Sequence, residues 1–225
     1  MRRKLEFVCL FFGVPVLLRL MPVVSKKIGT DINVPIIPML VVIAGFVLIC
    51  LRRTTDFVLP DLVRVSTVTR RNWIFMLSRF ALIAILLTVA LALYKPEGLL
   101  KLPRERTGIW LLVMCFYPLA SVMSQGIVYR AFYCYRYAAL FPVAIQTLVG
   151  AAVFSFAHLP FANLYALSFT FIGGLMFLTS YKRSRSLLFS GIEHALYGNF
   201  LFTIGWGEYF FHAGTLRMLQ TLSTH

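Results

Sequence analysis

The sequence predicts an all-α fold, a polytopic integral membrane helix bundle with seven or eight transmembrane helices. Three observations point there. First, 60% of the 225 residues are hydrophobic and only 13% charged, whereas a soluble domain is nearer half apolar and one quarter charged. Second, the apolar residues fall in runs of about 20, the length that crosses a hydrocarbon core as a helix. Third, the basic residues gather in short clusters between those runs. An ordinary soluble enzyme, a disordered tail and a fibrous repeat are excluded on these grounds.

The first span is read at Phe7–Val24, behind Arg2, Arg3 and Lys4. It resembles a signal peptide but lacks a small-residue cleavage site, so it is expected to stay as an anchor. The second runs from Val34 to Leu51, the third from Trp73 to Tyr94 and the fourth from Gly108 to Met123. A shorter aromatic stretch, Ser124–Tyr137, follows with Arg130 and Arg136. The fifth span is Ala138–Ala157, closed by a His158-Leu159-Pro160 turn. The sixth is Ala162–Tyr181 and stops at Lys182-Arg183-Ser184-Arg185. The seventh is Ser186–Phe202, and Leu201–Leu219 supplies a short or interfacial eighth. No linker separates folded units, so the chain is divided only nominally, into N-terminal helices over 1–107 and a core over 108–225.

A net charge of +14 would suggest nucleic acid in a soluble protein. Here the clusters fit loops meeting anionic lipid, so the expected partner is membrane lipid and not nucleic acid. With the N-terminus inside, 13 Lys and Arg fall on the cytoplasmic side and 7 on the other, leaving Arg19 and Arg79 within spans. That bias predicts a cytoplasmic N-terminus. Cys9, Cys50, Cys115 and Cys134 form no CxxC pair or C-terminal lipidation box and read as membrane-embedded thiols.

A charge at the bilayer centre costs roughly 2.5–3.5 kcal/mol on insertion scales, so polar residues in the spans need a reason. Arg19 and Arg79 are expected to snorkel or to pair within the bundle. Arg130, His158, Glu193, His194 and Asn199 cluster in the second half of the chain, on separate spans that a bundle can bring together. Neutral imidazole is a metal ligand and a general base, so His158 and His194 point to a shared interior site. Arg130, His158 and His194 are expected to face one cavity. His212 and His225 lie beyond the last clear span and read as surface residues.

These residues carry a resemblance. Ser124-Gln125-Gly126-Ile127-Val128-Tyr129-Arg130 resembles the first motif of the CPBP (Abi, CAAX-protease-and-bacteriocin-processing) intramembrane metalloproteases, Glu-Glu, three residues, Arg. Phe154 to His158 resembles the second, Phe, three residues, His. The stretch from His194 to Asn199 resembles the third, His, three residues, then Asn. The resemblance implies an intramembrane metallo-endopeptidase of a bacterial cytoplasmic membrane that cleaves membrane-associated or prenylated peptides. It further implies that His158 and His194 hold zinc or another divalent metal, or orient a water. Asn199 would partner the oxyanion or water, Gln125 would stand at the catalytic carboxylate position, and Arg130 would orient the first-motif helix.

Two departures qualify that activity. Gln125-Gly126 stands where the motif has Glu-Glu, and a glutamine offers no usable base. Asn199 follows His194 by five residues instead of four, with Gly198 at the expected place. Five residues leave it about 140° off the histidine face of a regular helix, which a π-bulge would correct. Glu193 adjoins His194 but points about 100° away. The resemblance therefore admits a weak or inactive peptidase. The alternative is a catalytically inactive family member acting as a membrane binding or immunity-type protein for a peptide, lipid or partner helix. A polar relay in a small transporter is a third reading, opposed by the lack of symmetry between the two halves. Restoring acids at both Gln125 and Gly126 is expected to raise cleavage.

Overall fold

A computed structural model describes residues 2–27, 36–58 and 62–210. All regular structure among them is helical. Helix α1 (Arg2–Val8) continues through a π-helical turn at Cys9–Gly13 into α2 (Val14–Lys27), and α3 (Ile36–Thr54) and α4 (Arg70–Tyr94) follow. A short α5 (Lys101–Glu105) leads to α6 (Thr107–Phe116), a π-helical turn at Tyr117–Val122, α7 (Met123–Gly126) and a longer π-helical segment, Ile127–Tyr137. Then come α8 (Gln146–Phe156), α9 (Leu164–Ser184) and α10 (Leu187–Ile204).

Six helical stretches are long and apolar enough to cross a membrane: Arg2–Val24, Ile36–Arg53, Arg70–Tyr94, Thr107–Leu140, Val143–Phe161 and Leu164–Ser184. Those six are the count among the described residues; helix α10, 18 residues long, carries Glu193, His194 and Asn199 and is not apolar enough to join them. The protein is thus a polytopic helical membrane bundle. The expected fourth span and the aromatic stretch after it are corrected: they form one stretch of 34 residues. At 1.5 Å per residue it is roughly 50 Å long, well beyond a hydrocarbon core of about 30 Å. The sequence suggests a break at Ser124, but Ser124 and Arg130 are buried and the helix runs on, widened into π turns. The fifth span begins later than expected, because Phe141-Pro142 interrupts the chain after the turn Ala138–Leu140. Of the expected eighth element, only a 3₁₀ turn at Trp206–Phe210 is described. His212, His225 and the rest of that segment lie outside the described residues.

The ends of the core helices are set locally. Asn163 accepts a hydrogen bond from the Ala166 N–H at 2.8 Å, and Ser186 accepts one from the Phe189 N–H at 3.0 Å, each satisfying an orphan donor at a helix start. Between α9 and α10 only Arg185 and Ser186 intervene, which makes the two helices antiparallel neighbours. Helices α8 and α9 pack tightly at Gly174, where an added Cβ would sit 2.9 Å from the Ala151 backbone. Small residues at such crossings let membrane helices make dense contact, the main source of their association in lipid.

The N-terminal helix is held by charge. Glu6 accepts two hydrogen bonds from Arg136, at 2.9 and 2.8 Å, and one from the Tyr137 hydroxyl at 2.7 Å. Beneath it Phe7 and Phe11 pack against Tyr133 and Tyr137 in the main apolar cluster. At the other end Lys95 pairs with Glu208 at 2.7 Å, and that carboxylate holds the Lys95 ammonium above its usual range.

A Gly174→Val variant should lose about 1–3 kcal/mol of stability from overpacking, read as a lower unfolding midpoint of the purified chain in lipid nanodiscs. A midpoint equal to that of the unaltered chain would contradict the close α8–α9 crossing.

Candidate functional site

The site is built from α7 and its π-helical continuation, the end of α8, and the middle of α10. Arg130 is its most constrained member. It is buried, its Nη1 donates to the Ser190 carbonyl at 2.9 Å and its Nη2 to the Val122 carbonyl at 3.2 Å. The guanidinium therefore fastens the first-motif helix to α10 through main-chain oxygens, which charge-assisted hydrogen bonds do well in a dry interior.

Gln125 lies one face away. Its Nε2 donates to Ser121 Oγ at 2.8 Å, while its Oε1 is buried and without a protein partner. Gln125, Tyr129 and Arg130 line a small cavity closed by Gly150, Phe154, Gly174, Phe177 and Leu178. Its volume of about 10 Å³, measured at the centre of a water molecule, is room for about one water. Arg130 is among its lining residues and neither histidine is. The imidazoles pack instead against the rings in the cavity wall. Phe154 meets His158 edge-on at 5.0 Å between centroids and His194 at 5.5 Å, and Phe177 stacks on His194 at 4.5 Å. The two histidines thus share neighbours, with bulky aromatic rings filling the space around them.

Each imidazole is partly committed. His158 Nδ1 donates to the Phe154 carbonyl at 2.8 Å, which fixes the ring over the last turn of α8. His194 Nε2 lies 3.0 Å from the Tyr117 hydroxyl, and its Nδ1 is buried without a partner. Asn199 does not join them. Helix α10 is regular through this stretch, so the π-bulge that would turn Asn199 back is absent there. Its Nδ2 points instead to the Met114 carbonyl at 3.4 Å. In the long helix, Tyr117 and Arg130 lie in π-helical segments and Gln125 in the α-helical turn between them.

Glu193 is the sole carboxylate between residues 106 and 201. Its side chain is fully buried and ion-paired with Arg79 of α4, over whose guanidinium the Phe75 ring stacks at 5.1 Å. Arg79 thereby meets the expectation of pairing within the bundle, while Arg19 is exposed. A catalytic metal centre uses three protein ligands. Among the described residues no group of three or more His, Cys, Asp or Glu side chains is placed to hold a metal ion. With Glu193 taken by Arg79 and His194 Nε2 by Tyr117, the described residues do not fit a divalent metal.

Two contributors escaped the sequence reading. Tyr117 carried only a weak signal, the Tyr-Pro pair at the start of a π turn. Arg79 was visible as a charge in a span, but its partner across 114 positions was not.

The fold and this polar interior define a polytopic helical membrane protein with buried polar side chains between its helices. Residues 106–201 match the family model described as type II CAAX prenyl endopeptidase Rce1-like. That match spans less than half of the chain and is a likeness to the CAAX-protease-type proteins over that segment. Comparison with curated proteins and with solved structures found no match.

Removing one partner of a buried ion pair costs about 3–5 kcal/mol, whereas replacing both with apolar residues is often close to neutral. Arg79→Leu should therefore lower the unfolding midpoint strongly, and Arg79→Leu with Glu193→Leu should recover most of the loss. Additive losses in the double variant would contradict the pairing.

Proposed function

We propose that this chain is a non-cleaving member of the CAAX-protease-type membrane proteins, one that holds a membrane-inserted or prenylated peptide without hydrolysing it. The observation that carries the reading is the fate of its carboxylates. Hydrolysis by an activated water needs a base within hydrogen-bond reach, and such assistance is typically worth about 10²–10⁴ in rate. The first motif supplies a glutamine and a glycine, and Glu193 is neutralised by Arg79. The metal that a metalloprotease uses would polarise a carbonyl and acidify a water, but its ligands are not assembled among the described residues.

The chain's own groups still orient and exclude. Arg130 fixes the first-motif helix on α10, Ser121 turns the Gln125 amide so that its oxygen is left for another donor, and Phe154 and Phe177 line the cavity beside it. That is a preserved scaffold with its chemistry removed.

The cytoplasmic membrane is the proposed location, with the N-terminus and the Lys182–Arg185 loop inside, on the strength of the basic bias in the loops. Cysteine labelling at positions 55 and 184 should occur only from the cytoplasmic face; labelling of both from outside overturns the orientation.

In liposomes holding the purified chain and a farnesylated CAAX peptide, mass spectrometry should find no more cleavage than with a His194→Ala variant. Photo-crosslinking should nevertheless capture the peptide. Cleavage by the unaltered chain that is lost in His158→Ala overturns the proposal. The structure also changes which rescue is sensible. A Cβ at position 126 would land on the Arg130 guanidinium, so Gly126→Glu must dislodge Arg130 from Ser190 and Val122. Gln125→Glu alone leaves Arg130 in place, with the Ser121 hydroxyl able to turn and donate to the new carboxylate, and any regained hydrolysis should appear in that single variant and be weaker in the double one.

A further inference from the structure

We propose that the Tyr117 side chain is an internal occupant of the histidine site, filling a place that otherwise binds a hydroxylated aromatic ring. Three observations meet at this point. Gly198 lies four residues beyond His194 on the regular helix α10, hence on the same face. A Cβ built there would fall on the Tyr117 ring and its hydroxyl. The hydroxyl itself is 3.0 Å from His194 Nε2, with the two rings perpendicular at 6.0 Å between centroids.

The position that the third motif gives to an asparagine side chain is therefore empty on α10 and filled from the facing helix. The π-helical turn that starts at Tyr117 and carries Pro118 aims the phenol inward, and Phe202 supports its edge at 5.5 Å. Tyr117 is half-buried, so the place it fills is reachable from outside the bundle. Shortening it to alanine leaves a ring-sized space bordered by Phe202 and Gly198, with one ready hydrogen-bond partner in His194 Nε2. Engineered apolar cavities of roughly 150 Å³ take up benzene. Here the imidazole adds a preference for a hydroxyl, because a buried nitrogen left unpaired is costly. The chemical class is thus a phenol over a plain arene of the same size.

The inference rests on the non-cleaving reading only for its biological sense, as the reason His194 is closed to water or substrate. Its experiment uses no cleavage readout, so peptide hydrolysis by the unaltered chain would sink that reading and leave this one standing.

The full chain in nanodiscs is unfolded thermally with phenol, with toluene and with neither. For Tyr117→Ala, phenol should raise the midpoint by roughly 4 °C at ten times its Kd and toluene by less, while the unaltered chain responds to neither. Adding His194→Leu should abolish the advantage of phenol over toluene. Equal responses in Tyr117→Ala and the unaltered chain, or equal shifts by phenol and toluene in Tyr117→Ala, overturn the proposal. Should Tyr117→Ala fail to fold, Gly198→Ala decides. It should lower the midpoint in the unaltered background and do so far less in a Tyr117→Val background; an equal drop in both overturns the shared occupancy.

Discussion

A carboxylate with no access to water has to be neutralised by something, and in this chain Glu193 is neutralised by Arg79. Much else depends on that pairing. It joins α4, which lies outside the segment matching the CAAX-protease-type family, to the helix that carries the third motif. It lets an ionised side chain sit at zero exposure inside a bundle, where an unpaired charge would cost several kcal/mol. It also removes from chemistry the one acid between residues 106 and 201 that adjoins a histidine. Stability and loss of base are two consequences of one contact.

The departures from the family's motifs are matched by their neighbours and are not scattered damage. Gln125 is bonded to Ser121, one turn back on the same helix. Gly126 leaves the space into which the Arg130 guanidinium folds, and Gly198 leaves the space into which the Tyr117 phenol folds. At both glycines a side chain from elsewhere takes the room that a motif side chain would need. Packing in protein interiors is dense enough that such exchanges must be complementary. The polar interior is therefore partly refilled from within: Arg130, Tyr117 and Arg79 each engage a group of this chain.

The bundle was legible in the sequence because lipid leaves few choices: a backbone crossing hydrocarbon must satisfy its own hydrogen bonds, so long apolar runs can only be helices. Six apolar spans and the helix from Leu187 follow from that constraint. Arg130, His158 and His194 were singled out for a related reason, since a costly residue in a span must be used or paired. What stayed hidden was pairing at a distance. Nothing local says that Arg79 reaches Glu193 or that Tyr117 reaches His194, because those contacts depend on how helices rotate about their axes. The π-helical stretches set that rotation for the long helix, and they leave almost no trace in residue type. The same cause misplaced Asn199, whose direction follows from the regularity of α10.

The most direct test is the chemical state of the Glu193 carboxyl. Hydrophobic carbodiimides modify protonated carboxyls within membranes and spare ionised ones held in a tight ion pair. Treatment of the chain in a lipid bilayer, followed by mass spectrometry of the peptide containing Glu193, should find it unmodified in the unaltered chain and modified in Arg79→Leu. Modification of Glu193 in the unaltered chain at the rate seen in Arg79→Leu would contradict the account, because the carboxyl would then not be held as an ion pair with Arg79.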